Sequence, residues 1–331
     1  MVKAIELSDG RCEVTIAPQL GAAITRYDAL TAGRSRVPIF KPAERGHPYG
    51  CQLLVPWSNR ISGGGFEYDG RFHAVEPNVP GEPFPLHGDG FQKPWRIVGT
   101  TRTTAELALD DGAIGPYRYA AQVTYALDDG MLAATLVVEN RVKFALPYGL
   151  GFHPWFPRRS GTELRAAAER VWLEDERHLP TGVRFVEDRP EWNFSEHKRL
   201  PSGWINNGFD GWARHAEIVQ PEHGIALSID ASPELDVYIL YSPSPESGFF
   251  CFEPVSHPVD AHHGQREGRA ADRKPDGRLA DPEGLEAAAT GAAAVRVAAA
   301  GRGGAPRPCF RAAPAGARPR LRPALCARGG G

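Results

Sequence analysis

Three segments of this chain each place one ionisable residue among glycines, prolines and aromatic side chains, surroundings that dehydrate a proton-transfer group and hold it still. Phe249-Phe250-Cys251-Phe252-Glu253-Pro254 ends an aromatic run on a carboxylate, while Leu86-His87-Gly88-Asp89-Gly90-Phe91 and Tyr148-Gly149-Leu150-Gly151-Phe152-His153-Pro154-Trp155-Phe156 each carry an imidazole. A glutamate at the lip of an apolar strand is costly to ionise and therefore a readier proton acceptor. An imidazole titrates near operating pH and can give or take a proton. Together these groups suit acid–base chemistry on a sugar.

Other residues fit the same ligand. Arg60 lies between Ser58-Asn59 and the Gly63-Gly64-Gly65 run, where a guanidinium fork can grip two hydroxyls. Trp57, Trp155 and Trp212 offer faces for sugar C–H groups, although a large aromatic more often packs in a core. His257, His262 and His263 stand near Asp260 but without HxH or HExxH spacing, so no metal is expected. A GxSxG elbow, a phosphate-cradling P-loop and a GxGxxG turn are all missing from the sequence, which removes the usual support for acyl transfer, nucleotide hydrolysis and dinucleotide chemistry.

The elements that must position these groups read as strands. Tyr117 to Leu127 alternates, turns at Asp128-Asp129-Gly130 and returns through Met131 to Asn140, as a hairpin does. Phe66-Glu67-Tyr68 and Arg71-Phe72-His73 flank Asp69-Gly70 in the same way, and Cys12 to Ile16 pairs with Ala22 to Tyr27. Shorter strands fit Ala105 to Leu109, Ile218 to Val219, Ile225 to Ile229 and Leu235 to Tyr241. Pro and Gly interrupt nearly every window before residue 265 that could hold a 3.6-residue period. The expected fold is all-β, a large antiparallel β-sandwich.

The 331 residues exceed an average domain, yet an all-β sandwich of this size can be a single unit. Five cysteines, odd in number and without a CxxC pair, support neither a disulfide framework nor a zinc ribbon. The amino terminus lacks a signal-like apolar run and no stretch is apolar enough to cross a bilayer, so a soluble cytoplasmic protein is expected. Charge is uneven. Residues 265–331 hold 13 Lys and Arg against 6 Asp and Glu, a net of +7, and the remainder holds 25 against 34, a net of −9. An acidic body has no footprint for nucleic acid. The expected division is a sandwich over residues 1–264 and an Ala/Arg/Gly/Pro-rich tail over 265–331, disordered and either frame-shifted or a divergent extension. Within it, Pro282 to Val297 is Ala-rich enough to favour helix. A tail that replaced the last strands would leave a sheet edge open.

Over roughly residues 10 to 263 the chain resembles the aldose 1-epimerase, or galactose mutarotase-like, family. The resemblance rests on Asn59-Arg60-Ile61 with Gly65-Phe66-Glu67-Tyr68, then Leu86-His87-Gly88, then Gly151-Phe152-His153-Pro154-Trp155-Phe156, and finally Phe252-Glu253-Pro254 leading to Asp260-Ala261. It implies the galactose mutarotase-like supersandwich and an isomerase that interconverts α and β anomers of a free aldose without a cofactor. On that resemblance Glu253 is the catalytic base, His153 the catalytic acid, and His87, Arg60 and Asn206 hold the sugar, with Asp210 and Trp155 as further candidate sugar contacts. Gly88 would let backbone approach the ligand. One departure stands out: Asn206-Asn207-Gly208-Phe209-Asp210-Gly211-Trp212 has asparagine where the family commonly has aspartate. An amide can still bind sugar hydroxyls, which keeps a non-catalytic sugar-binding or sugar-sensing module as the alternative.

Overall fold

The computed structural model describes residues 3–44, 50–263 and 290–300, the last as backbone together with the Val297 side chain. Two large antiparallel sheets face each other. The larger has 11 strands, in the spatial order Ile5–Ser8, Cys12–Ala17, Ala23–Leu30, Cys51–Leu54, Gly151–Pro157, Phe249–Val255, Val237–Ser242, Ile205–Asp210, Arg170–Glu174 and Pro180–Phe185, with Arg36–Pro38 paired to Ala23–Leu30. The smaller has nine, in the order Lys198–Arg199, Glu163–Arg165, His215–Gln220, Ile225–Ala231, Thr290–Ala300, Met131–Asn140, Tyr117–Asp128, Thr104–Ile114 and Arg96–Thr100. Gly65–Tyr68 and Arg71–Ala74 form a separate hairpin. Helix among the described residues is limited to 3-10 turns of three residues, and no described helix is long and apolar enough to cross a membrane.

Alternation builds the core between the sheets. In Tyr117–Asp128 the odd-numbered residues Tyr117, Tyr119, Ala121, Val123, Tyr125 and Leu127 are buried, as a period of two requires when one face packs inward. From the opposite sheet Tyr27, Phe156, Phe209, Tyr238, Phe250 and Phe252 meet them. Each large apolar side chain buried in this way contributes about 1.5–3 kcal/mol. The buried tyrosines also tie the layers through their hydroxyls: Tyr125 donates to the Ala22 carbonyl at 2.9 Å and Tyr27 to the Gly130 carbonyl at 2.9 Å.

One expectation fails. The Ala-rich stretch expected to favour helix overlaps the strand Thr290–Ala300, which pairs with Met131–Asn140 on one side and Ile225–Ala231 on the other. Helix propensity is a weak prior, and a vacant slot between two strands, with backbone partners on both sides, overrides it. The buried Val297 side chain is 3% exposed, and its carbonyl accepts a hydrogen bond from Tyr27 at 3.2 Å. The tail thus supplies a strand to the smaller sheet instead of leaving an edge there. The rest of the stretch assigned to a disordered or frame-shifted tail lies outside the described residues.

Candidate active site

In Phe249–Val255 the residues Phe250 and Phe252 enter the core, where Phe250 stacks on Phe156 and Phe252 on Tyr238. Strand alternation then sends Cys251 and Glu253 to the other face of the larger sheet. In Gly151–Pro157 the same rule buries Phe152 and Phe156 in the core and turns His153 and Trp155 to the side of Glu253. The pairings Gly151↔Val255 and Trp155↔Cys251 set His153 opposite Glu253. His153 Nε2 lies 3.4 Å from Glu253 Oε1, with the two side chains 10% and 3% exposed. The register extends this row to Gln52 beside His153, and to Ile239 and Gly208 beyond Glu253. A parallel row holds Trp155, Cys251, Tyr241 and Asn206.

Two atoms of the pair are orphaned. Glu253 Oε2 and His153 Nδ1 are buried and have no hydrogen-bond partner among the described residues. An unsatisfied buried polar atom costs about 1–3 kcal/mol, so a pair of them at one place marks a site built for a ligand rather than for packing. Burial pushes the Glu253 carboxyl up to about 8 against the opposing pull of the Arg60 charge, and it pushes the His153 imidazole down to about 4. The short separation would favour an ion pair. Burial prevails, because a contact longer than a good hydrogen bond of ~2.7–3.2 Å does not offset the dehydration of two charges. The resting pair thus holds one proton, placed on the carboxyl.

His87 completes the proton-handling group. It sits at a turn with φ of 60°, and its ring centroid is 5.3 Å from that of His153. The Asn59 backbone N–H donates to its Nδ1 at 2.9 Å, which leaves the proton of the neutral ring on Nε2. Burial, followed by the His153 and Arg60 charges, holds it well below the usual imidazole range, so His87 is a neutral N–H donor. The neighbouring Gly88, with φ of 66°, approaches backbone rather than ligand: a Cβ there would fall 2.2 Å from the Val55 carbonyl oxygen.

Arg60 lies close enough for its charge to act on both Glu253 and His87, but its fork is partly committed. Nε and Nη2 donate to Glu82 Oε2 at 3.3 and 3.0 Å, and Nη1 donates to Asn59 Oδ1 at 3.2 Å. The loop that carries Arg60 is clamped from the segment after Glu253. Asp260 accepts from the Ser62 N–H at 2.8 Å and from its hydroxyl at 2.7 Å, and the Ser58 N–H donates to His257 Nε2 at 3.2 Å. His257 and Asp260 therefore position backbone.

The remaining expected sugar contacts divide. Asn206 lies in the second row and donates its amide to Glu174 Oε2 at 2.8 Å. Asp210, expected to hold the sugar, is engaged within the protein. Arg170 Nε and Nη2 hold its two oxygens at 2.8 and 2.9 Å, Trp172 Nε1 adds a bond at 2.8 Å, and four residues of strand carry it about 13 Å from Asn206. Trp155 stacks on the His153 ring, centroids 5.1 Å apart and 10° from parallel, and donates from Nε1 to Gln52 Oε1 at 3.2 Å. It braces the imidazole. Trp57 and Trp212, 0% and 1% exposed, belong to the core and offer no face to a sugar.

Two site residues had no visible signal in the sequence. Glu174, at the end of Arg170–Glu174, accepts the Asn206 amide of the second row. Cys251 is fully buried, and burial followed by the Glu253 charge holds its thiol well above the ordinary range. The ligating atoms of His153, Cys251 and Glu253 all lie within 4.8 Å of one another, a grouping able to hold a metal ion.

Comparison with known proteins gives the family. The aldose 1-epimerase family pattern matches residues 3–272, and the chain belongs to that family. Among curated proteins it is similar to the uncharacterised protein YphB of Escherichia coli K12, 35% identical over 240 residues that span 70% of this chain and 82% of YphB. The structure resembles that of an Escherichia coli K12 protein provisionally assigned as an aldose 1-epimerase, with a TM-score of 0.79 and 28% identity over 90% of this chain and 99% of that one. The GalM/aldose epimerase homologue of C. elegans has a TM-score of 0.72 at 17% identity, covering 91% of this chain and 99% of its own, a likeness of fold alone.

Proposed function

We propose that this protein is a mutarotase that interconverts the α and β anomers of a free aldose, with Glu253 and His153 moving the protons. The reading is supported above all by the adjacency of these two groups, 3.4 Å apart with one orphaned atom each. Direct adjacency suits the reaction, because the anomeric hydroxyl and the ring oxygen share one carbon, so their acid and base must also be neighbours.

The shared proton first passes from the Glu253 carboxyl to His153; the Glu253 carboxylate then takes the proton from the anomeric O1 and the His153 imidazolium gives its proton to the ring oxygen. The C1–O5 bond breaks and C1=O1 forms. Rotation about C1–C2 presents the other face, and the reverse transfers close the ring. The pair carries one proton throughout: opening converts the ion pair into the neutral pair that burial favours, and closing restores it. His87, through Nε2–H, donates to the ring oxygen or a neighbouring hydroxyl. Arg60 favours the ionised form of Glu253 that starts the cycle. Asn206, oriented by Glu174, holds a hydroxyl farther along the sheet. This chemistry uses protons only.

Anomer exchange followed by polarimetry or NMR on a panel of aldoses tests the reading. Wild-type protein accelerates exchange above buffer, and Glu253→Gln and His153→Ala do not. Saturable sugar binding with no acceleration would identify a sugar-binding module instead.

A further inference from the structure

Three strands along the larger sheet from Glu253 is a hollow of about 500 Å³ lined by Glu174, Asp175, His178, Arg189, Trp192 and Trp204, whose Glu174 also holds the Asn206 amide. We propose that this hollow is a subsite for further glycosyl units, so that the substrate is a reducing oligosaccharide whose reducing ring sits on His153 and Glu253. The inference rests on the mutarotase reading for the reducing end alone.

The lining has the chemistry of a sugar site. Trp204 is 46% exposed although it is a large aromatic, and it is held rigidly: its Nε1 donates to Glu174 Oε1 at 2.8 Å and its ring stacks on His178, centroids 5.4 Å apart. Trp192 forms another wall, with the Arg189 guanidinium 4.3 Å from its ring centre. The exposed Trp204 indole presents a face to sugar C–H groups, and the charged groups around it suit hydroxyls. A cavity of this size and composition takes a small polar organic ligand.

Continuity links the hollow to the site. Glu174 lines the hollow, and its Oε2 also accepts the Asn206 amide at 2.8 Å and faces His178 Nδ1 at 3.0 Å. The Trp204 ring meets Tyr241 edge-on at 5.4 Å, and the Tyr241 hydroxyl feels the charges of both Glu253 and Glu174. Asn206 stands two strand intervals from Cys251 and Glu174 one interval more, which puts the carboxylate about 14 Å from the strand of Glu253. One pyranose on the pair extends toward Asn206 and stops short of Trp204. A chain of two or three rings reaches both.

The test compares glucose and galactose with maltose, maltotriose, cellobiose, cellotriose and lactose, measuring affinity by calorimetry and kcat/KM by anomer exchange, in wild type, Trp204→Ala and Trp204→Phe. At least one oligosaccharide is expected to exceed its reducing-end monosaccharide at least 10-fold, a preference lost in Trp204→Ala and largely kept in Trp204→Phe. The subsite is overturned if every oligosaccharide is matched by its monosaccharide, or if the preference survives Trp204→Ala in folded protein. Calorimetry reads the preference even where exchange is not accelerated, so loss of the mutarotase reading and loss of the subsite are separate results.

Discussion

His153 and Glu253 face each other from neighbouring strands with 3.4 Å between Nε2 and Oε1, and burial gives the pair one proton to share. A pair that needs its single proton fails both when a second arrives and when the first departs. Anomer exchange should therefore follow a bell-shaped pH profile with limbs near 4 and 8, values that belong to the coupled pair. Rates corrected for exchange in buffer from pH 3 to pH 10 check this. A profile that keeps rising above about pH 9 would assign the base elsewhere.

Removing either partner removes the shuttle. Glu253→Gln and His153→Ala are each expected to lower kcat about 10²–10⁴-fold, with a smaller change in KM. The double variant should be little worse than either single one, because the two groups act as a unit. Additive losses would show independent roles.

The orphaned carboxyl should cost stability at alkaline pH. Its folded value of about 8 lies above the ordinary 4.5, so between those limits the unfolded chain has lost a proton that the folded chain retains, and stability falls as pH rises. Below 4.5 this contribution is fully favourable, and it is lost as pH passes 8. Glu253→Gln should be the more stable protein at pH 8, by roughly 4 kcal/mol, and within about 1 kcal/mol of wild type at pH 5. Denaturant unfolding at the two pH values decides the matter.

Restoring the family's aspartate should not help. Asn206→Asp would set a second carboxylate 2.8 Å from Glu174 Oε2, replacing a donated hydrogen bond by a like-charge contact. A loss of about 1–3 kcal/mol in stability and a higher KM are expected. If the substitution lowers KM, Glu174 does not supply the missing carboxylate.

Chelators should leave exchange unchanged, since only protons move. Added Zn²⁺ should inhibit by engaging His153, Cys251 and Glu253, whose ligating atoms lie within 4.8 Å of one another, and Cys251→Ser should weaken the inhibition.

Much of this architecture is written locally in the sequence. Hairpins around Asp128-Asp129-Gly130 and Asp69-Gly70 announce themselves because turn chemistry and alternation coincide there. The positions of Glu253, His153 and His87 were legible because each sits among residues that constrain it. Contacts made across strands were not. That Asp210 answers Arg170, that Glu174 answers Asn206 and that Cys251 lies beside the pair depend on register between segments up to a hundred residues apart, which no single segment encodes. Thr290–Ala300 misled for a related reason: its alanines favour helix in isolation, and only the waiting neighbours make it a strand.

That strand also bears on how the protein is handled. Composition invites an experimenter to trim everything after His263 as dispensable. Doing so would unzip the smaller sheet down its middle, leaving the backbones of Met131–Asn140 and Ile225–Ala231 as raw margins facing a gap one strand wide. Such a shortened chain would seek the missing ribbon from its own kind.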